Sequence, residues 1–103
     1  MAQKIIAGVT VEVNDEGYLT NPAQWTREMA HEIAREENIQ LTDQHFAVLE
    51  FLRERHAKGE SLTIRSVGNS GIIDIKGFYG LFPGAPMKKA AKVAGIPKPA
   101  SCV

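Results

Sequence analysis

The last nine residues, Gly95-Ile96-Pro97-Lys98-Pro99-Ala100-Ser101-Cys102-Val103, constrain this chain more than any other stretch. Two prolines at a spacing of two hold φ near about −65°, remove two backbone donors and bias the residues before them toward extended conformations. Such a segment neither continues a helix nor joins the interior of a sheet. It predicts a polyproline-like arm rising roughly 3.1 Å per residue, so that the stretch after Gly95 spans about 25 Å. At its tip stands Cys102, the one cysteine of the chain. A cysteine in the body of a protein is most often a small buried hydrophobe, but chain ends are seldom buried and two prolines oppose folding the tip inward. The expectation is a solvated thiol on a flexible arm over residues 96–103. Lys98, and Lys92 if the arm folds back, would favour its thiolate, while the α-carboxylate of Val103 would oppose it.

Everything that buries a core must therefore lie upstream. A length of 103 residues suits one small domain, and a hydrophobic content of 44% belongs to an ordinary globular protein. One cysteine excludes an internal disulfide framework and points to a reducing compartment. No apolar run approaches the ~18 residues of a membrane span and the N-terminus lacks a secretory pattern, so a cytoplasmic protein is expected. His31, His45 and His56 stand at no metal-ligand spacing, and no cofactor is expected. The net charge is zero but unevenly spread. Residues 1–60 hold six Lys and Arg against eleven Asp and Glu, whereas residues 61–103 hold six against Asp74 alone. A basic half that carries the arm would be steered toward acidic protein surfaces or RNA, or is simply a solvated face.

Lys4 to Leu19 reads as a β-hairpin, with Val9, Val11 and Val13 alternating with polar residues, Ile5 and Ile6 as a partner strand, and Asn14-Asp15-Glu16-Gly17 as a turn cluster. Asn21-Pro22 opens the first helix, with Gln24 completing a capping-box-like pair and Trp25, Met29 and Ile33 forming one apolar stripe. Thr42 caps a second helix to about Lys58, with Phe46, Leu49, Leu52 and His56 on one face and Gly59 as its left-handed stop. The region 61–80 is rich in glycine and β-branched residues, which weakens helix propensity. It holds no phosphate-binding loop, because no Gly-Lys-Ser/Thr element is present. Phe78, Tyr79, Leu81 and Phe82 form an apolar cluster before Pro83. Pro86 starts a last helix, Met87 to Ala94, which stops at Gly95.

The run Phe78-Tyr79-Gly80-Leu81-Phe82-Pro83, then Pro86, then Ala90-Ala91-Lys92-Val93-Ala94-Gly95-Ile96-Pro97-Lys98-Pro99 and the terminal Cys102-Val103, closely resembles the DsrC/TusE family of sulfur-relay proteins. Weaker similarity extends over the whole length, through Gly17-Tyr18-Leu19 and Trp25. The resemblance implies a mainly α fold, a small orthogonal helical bundle with an N-terminal β-hairpin and an extended C-terminal arm. Residues 1–103 would form a single domain of this type, with two short helices near 62–68 and 72–81. It also implies that Cys102 carries sulfur as a persulfide, with Arg65, Lys92 and Lys98 as candidate supports for the sulfur site. Ala91 stands where the two-thiol members of the family have a second cysteine, eleven residues before the penultimate one. Single-cysteine members resemble TusE, which relays sulfur toward tRNA 2-thiouridine, or DsrC-like paralogues of sulfur oxidisers.

Two classes of function follow. In the first, the chain is a sulfurtransferase-type persulfide carrier between a protein donor, of TusBCD or DsrEFH type by resemblance, and a protein acceptor within a sulfite reductase or a tRNA-modifying complex. In the second, it is a non-catalytic binding module, either a nucleic-acid-binding regulator or a gamma-type subunit associated with sulfite reductase. No catalytic triad, paired-carboxylate setting or arginine-rich recognition helix is present, so the carrier is favoured over direct nucleic-acid binding. No membrane partner is expected.

Overall fold

The chain enters the fold as an antiparallel hairpin, β1 (Ala2–Ile6) and β2 (Val9–Val13), paired Ala2 with Val13, Lys4 with Val11 and Ile6 with Val9. Residues 2–99 are described by a computed structural model. Ala7 and Gly8 join the strands with φ of 52° and 79°, the left-handed pair whose twist matches that of two adjacent strands. Pairing in this register puts Ile6, Val11 and Val13 on the buried face, while Ile5 on the opposite face is 67% exposed. The turn expected at Asn14-Gly17 is a second one. Asn14 Oδ1 accepts the N–H groups of Glu16 and Tyr18, both at 3.0 Å, and returns Leu19 to an isolated bridge with Val13.

The first helix departs from its expected start. Asn21 and Pro22 do open a helical turn, but it is a 3₁₀ turn of three residues, Pro22–Gln24. Gln24 bonds back to Asn21 only through its backbone N–H, which donates to Asn21 O at 3.1 Å; its side-chain oxygen accepts the N–H of Glu12 at 3.4 Å. Trp25 is then extended (ψ 140°). Thr26, whose hydroxyl accepts the N–H of Met29, caps helix α1 (Arg27–Glu36). A second cap five residues downstream outcompetes continuation, and Trp25 is freed from the helical stripe to point elsewhere. Met29, Ala30, Ile33 and Ala34 remain the buried face.

Helix α2 (Asp43–Ala57) begins at Thr42 as expected, with His45 completing a reciprocal capping box. Two short helices follow, α3 (Ile64–Gly68) capped by Thr63 and α4 (Ile75–Leu81) capped by Asp74, then α5 (Pro86–Val93). Phe78 and Phe82, four residues apart, turn inward and meet edge to face at 5.8 Å. Tyr79 does not join that cluster: it lies 100° around a helix from Phe78 and is 45% exposed beside Ile75. Helix α5 packs on α1 and α2. The core runs through Met29, Leu49, Leu52, Phe78, Phe82 and Met87. Helices and hairpin thus form the small mainly α bundle expected, and no helix among the described residues is long and apolar enough to cross a membrane.

Three helices end by one device. Asn38, Gly59 and Gly95 take φ of 60°, 72° and 71° after α1, α2 and α5. In each case the next two N–H groups fold back onto carbonyls of the last turn: Ile39 to Ala34, Glu60 to Arg55 and Ile96 to Ala91 for the outer bond. The device reverses the chain at Gly95 and buries Ile96 completely. Of the arm expected from residue 96, the described part therefore lies against the body: Pro99 is buried and Lys98 half-buried. Folding back the helix end turns Ile96 inward, where its side chain contributes to the core instead of starting an extended strand.

Candidate functional site: the root of the C-terminal arm

Cys102, the residue expected to carry the chemistry, lies outside the described residues. The structure describes the platform from which the chain proceeds toward it. Val93, Ala94, Gly95 and Ile96 are all buried, and the first three are held by Trp25 and Arg53. The indole Nε1 of Trp25 donates to Val93 O at 2.8 Å. Arg53 donates through Nη1 to Ala94 O at 2.8 Å and through Nη2 to Pro22 O at 3.0 Å. Gly95 packs on the face of Trp25: a β-carbon there would stand 2.6 Å from Trp25 Cγ. The Arg53 guanidinium carbon is 4.3 Å from the Trp25 ring centroid, within cation–π range. Burial lowers the Arg53 pKa. Its charge sits where the C-terminal carbonyls of α5 concentrate negative potential, which offsets part of the desolvation.

Two of the expected sulfur-site supports converge on the Asn14-Gly17 turn. Lys98 Nζ reaches both carboxylate oxygens of Glu16, at 3.1 and 3.2 Å. Lys92 lies across Gly17, its Nζ 3.3 Å from where a β-carbon would be. The absence of a side chain at residue 17 is what lets that lysine lie flat. Beside them, Lys88, Lys89, Tyr18 and Glu37 line a shallow cleft with Lys92, and the Tyr18 hydroxyl donates to Lys88 O at 3.1 Å. Arg65 is not brought to this turn. It is exposed on α3, two residues beyond Thr63.

A second, larger cleft of about 350 Å³ separates the end of α2 from the arm root. His56, Glu60, Leu62 and Thr63 face Pro97, Lys98 and Pro99 across it, and Arg65 is not among its described lining residues. Among the described residues no group of three His, Cys, Asp or Glu is placed to hold a metal ion. The arrangement supplies position and, from Lys92 and Lys98, positive charge at the arm root, while His56 and Glu60 line the larger cleft.

Sequence reasoning missed Arg53 and put Trp25 on the wrong element. The signal for Arg53 was its place on the apolar face of α2, four residues after Leu49 and three before His56. His45 was also passed over. It is buried, accepts the Thr42 N–H at Nδ1 (3.1 Å) and therefore donates from Nε2 to Leu81 O (2.9 Å), tying the start of α2 to the end of α4.

Comparison with known proteins agrees with this architecture. A family model described as DsrC like protein matches residues 5–103. Sulfurtransferase TusE of Buchnera aphidicola is 39% identical, over 90% of this chain and 89% of that protein. The solution structure of Allochromatium vinosum DsrC superposes with a TM-score of 0.81 at 32% identity, over 98% of this chain and 97% of that one. A chain of the crystal structure of dissimilatory sulfite reductase I does so with a TM-score of 0.85 at 32% identity, over 99% and 100%. With the family model running through both the bundle and the arm, and a relative this similar over nine-tenths of the length, the chain belongs to the DsrC-like family of sulfur-relay proteins.

Proposed function

We propose that Cys102 is the residue on which this sulfurtransferase-type carrier holds its sulfur. The family match reaches residue 103, and the chain has one thiol with which to perform the family's chemistry. The Cys102 thiolate attacks the outer sulfur of a donor persulfide, R–S–SH. A new S–S bond forms to Cys102, the donor S–S bond breaks, and the donor leaves as R–S⁻; the products are Cys102–S–SH and a thiolate, with no net oxidation. An acceptor protein then takes the outer sulfur by the same exchange. Partners are therefore proteins. A TusBCD- or DsrEFH-type donor, an acceptor in a tRNA-thiolating or sulfur-oxidising assembly, and a cytoplasmic location make up the finer reading.

Lys98 and Lys92 support the site in this reading by the positive potential that they bring to the arm root, and Arg65 by a charge on α3 open to a docked partner. Intact-mass analysis after incubation with inorganic polysulfide is the test. We expect a gain of one sulfur, removed by a thiol reductant and absent in Cys102→Ser. An adduct that persists in Cys102→Ser would sink the assignment.

A further inference from the structure

The end of α5 is fastened more heavily than a helix terminus requires. Its terminal N–H groups already close on Lys92 and Ala91, and water satisfies the remaining carbonyls of an exposed terminus. Here the next two carbonyls, of Val93 and Ala94, are taken by Trp25 and Arg53, residues 68 and 41 positions away. The second arm of the same guanidinium holds Pro22 O. One planar side chain on α2 thus fixes two chain segments relative to each other while it lies on the Trp25 ring, and that ring is the surface on which Gly95 rests. Neither residue reaches the exposed clefts that flank the arm root.

We propose that Arg53 and Trp25 are positioning residues for sulfur transfer, setting the direction in which the arm leaves the bundle. This rests on Cys102 being the sulfur-bearing residue. Pro97 and Pro99 restrict the backbone from Ile96 to Pro99, so orientation at the root is carried along the described part of the arm. A rotation of roughly 20° at Gly95 displaces a point about 12 Å along the segment, four residues on at roughly 3.1 Å each, by about 4 Å. Transfer between two proteins depends on presenting sulfur to sulfur in line, and a misplacement of about 1 Å can already cost on the order of a hundredfold in rate. Attack on a small freely diffusing sulfur source has no such demand.

The test uses the full chain with Arg53→Met, Arg53→Lys and Trp25→Phe, the last keeping a ring under Gly95 while removing the indole N–H. A nitroxide attached to Cys102 reports, by paramagnetic broadening of backbone amides, which surface the tip visits. Unlabelled proteins are loaded in parallel from inorganic polysulfide and from a persulfidated rhodanese. We expect the broadened patch to spread in Arg53→Met and transfer from rhodanese to fall roughly tenfold, with polysulfide loading held within about twofold. Arg53→Lys should recover part of the loss. Should Arg53→Met fail to fold, Trp25→Phe carries the same expectation with smaller amplitude. An unchanged patch, or equal losses with both sulfur sources in folded variants, overturns the proposal. If polysulfide fails to load the unsubstituted protein, the carrier reading falls, and the nitroxide patch still decides whether the joint directs the arm.

Discussion

A methyl group added at Gly95 would meet the Trp25 indole and would also force an L-residue to φ 71°. Left-handed backbone costs roughly 1–2 kcal/mol and overpacking about 1–3 kcal/mol more, so Gly95→Ala should lose about 2–5 kcal/mol in a denaturant titration. Gly8 has φ 79° but open space around it; Gly8→Ala should lose only the roughly 1–2 kcal/mol of conformation. Equal losses would show that the packing on Trp25 carries no weight. The buried His45 gives a second contrast with the exposed Lys98–Glu16 pair. His45→Leu leaves Leu81 O without its donor and should cost about 1–3 kcal/mol, while Glu16→Gln should change stability by less than about 1 kcal/mol. Arg53 and His45 were hard to read in the sequence for one reason. Their partners are backbone carbonyls far along the chain, which no residue type announces. Both nonetheless left a trace, Arg53 by standing on an apolar helix face and His45 by occupying the third position after a threonine cap, where a capping box has its reciprocal partner.

Helix boundaries were legible wherever a cap and a stop stood alone, and misread where caps competed. Thr42 and Gly59 bracket α2 as expected, and Pro86 and Gly95 bracket α5. Near residue 21 two capping residues, Asn21 and Thr26, stand five apart, and spacing alone does not say that the chain stops between them to send Trp25 across to Val93. The short pair α3 and α4 came from family resemblance, at 62–68 and 72–81; each starts two or three residues later than that, on the residue after Thr63 and Asp74. Helices of five and seven residues lean heavily on such caps. Asp74→Ala, which removes the acceptor 2.7 Å from Gly77 N–H, should cost about 1 kcal/mol. Hydrogen exchange should locate that loss in α4, with the Gly77 amide losing protection first; loss spread evenly over the chain would contradict a local role for the cap.

On the scale of the whole molecule, the charge segregation along the sequence does not survive as two faces. Lys98 from the basic half pairs with Glu16 from the acidic half, and Lys88 and Lys92 share a cleft with Glu16 and Glu37. Folding interleaves the halves, which sequence cannot reveal because it depends on where α5 crosses the Asn14-Gly17 turn. The mainly α class, the hairpin and the identity of the one thiol were all readable; how the chain turns back at Gly95 to bury Ile96 was not, since two prolines downstream suggested departure. Composition still fixes the redox outcome. With one cysteine in the chain, mild oxidation should yield a Cys102-linked dimer or a mixed disulfide. A non-reducing intact-mass spectrum of the oxidised monomer should therefore contain no species lighter by two hydrogens. In Ala91→Cys such a species becomes possible only when the arm tip brings the two Cα atoms within about 7 Å, so its appearance would measure how far the arm folds over α5.

Trp25 is the one tryptophan of the chain, and its ring touches Gly95 while its N–H holds the carbonyl two residues earlier. The protein therefore contains its own optical gauge. Intrinsic emission excited at the indole comes from one site, half-buried between a guanidinium and the arm root. Any partner that pulls the root away from the bundle hydrates that ring and shifts its emission to longer wavelength, whereas a partner that grips only the tip leaves the spectrum in place. Stopped-flow fluorescence of the unlabelled protein can thus time the mechanical part of docking separately from the chemical step read by mass.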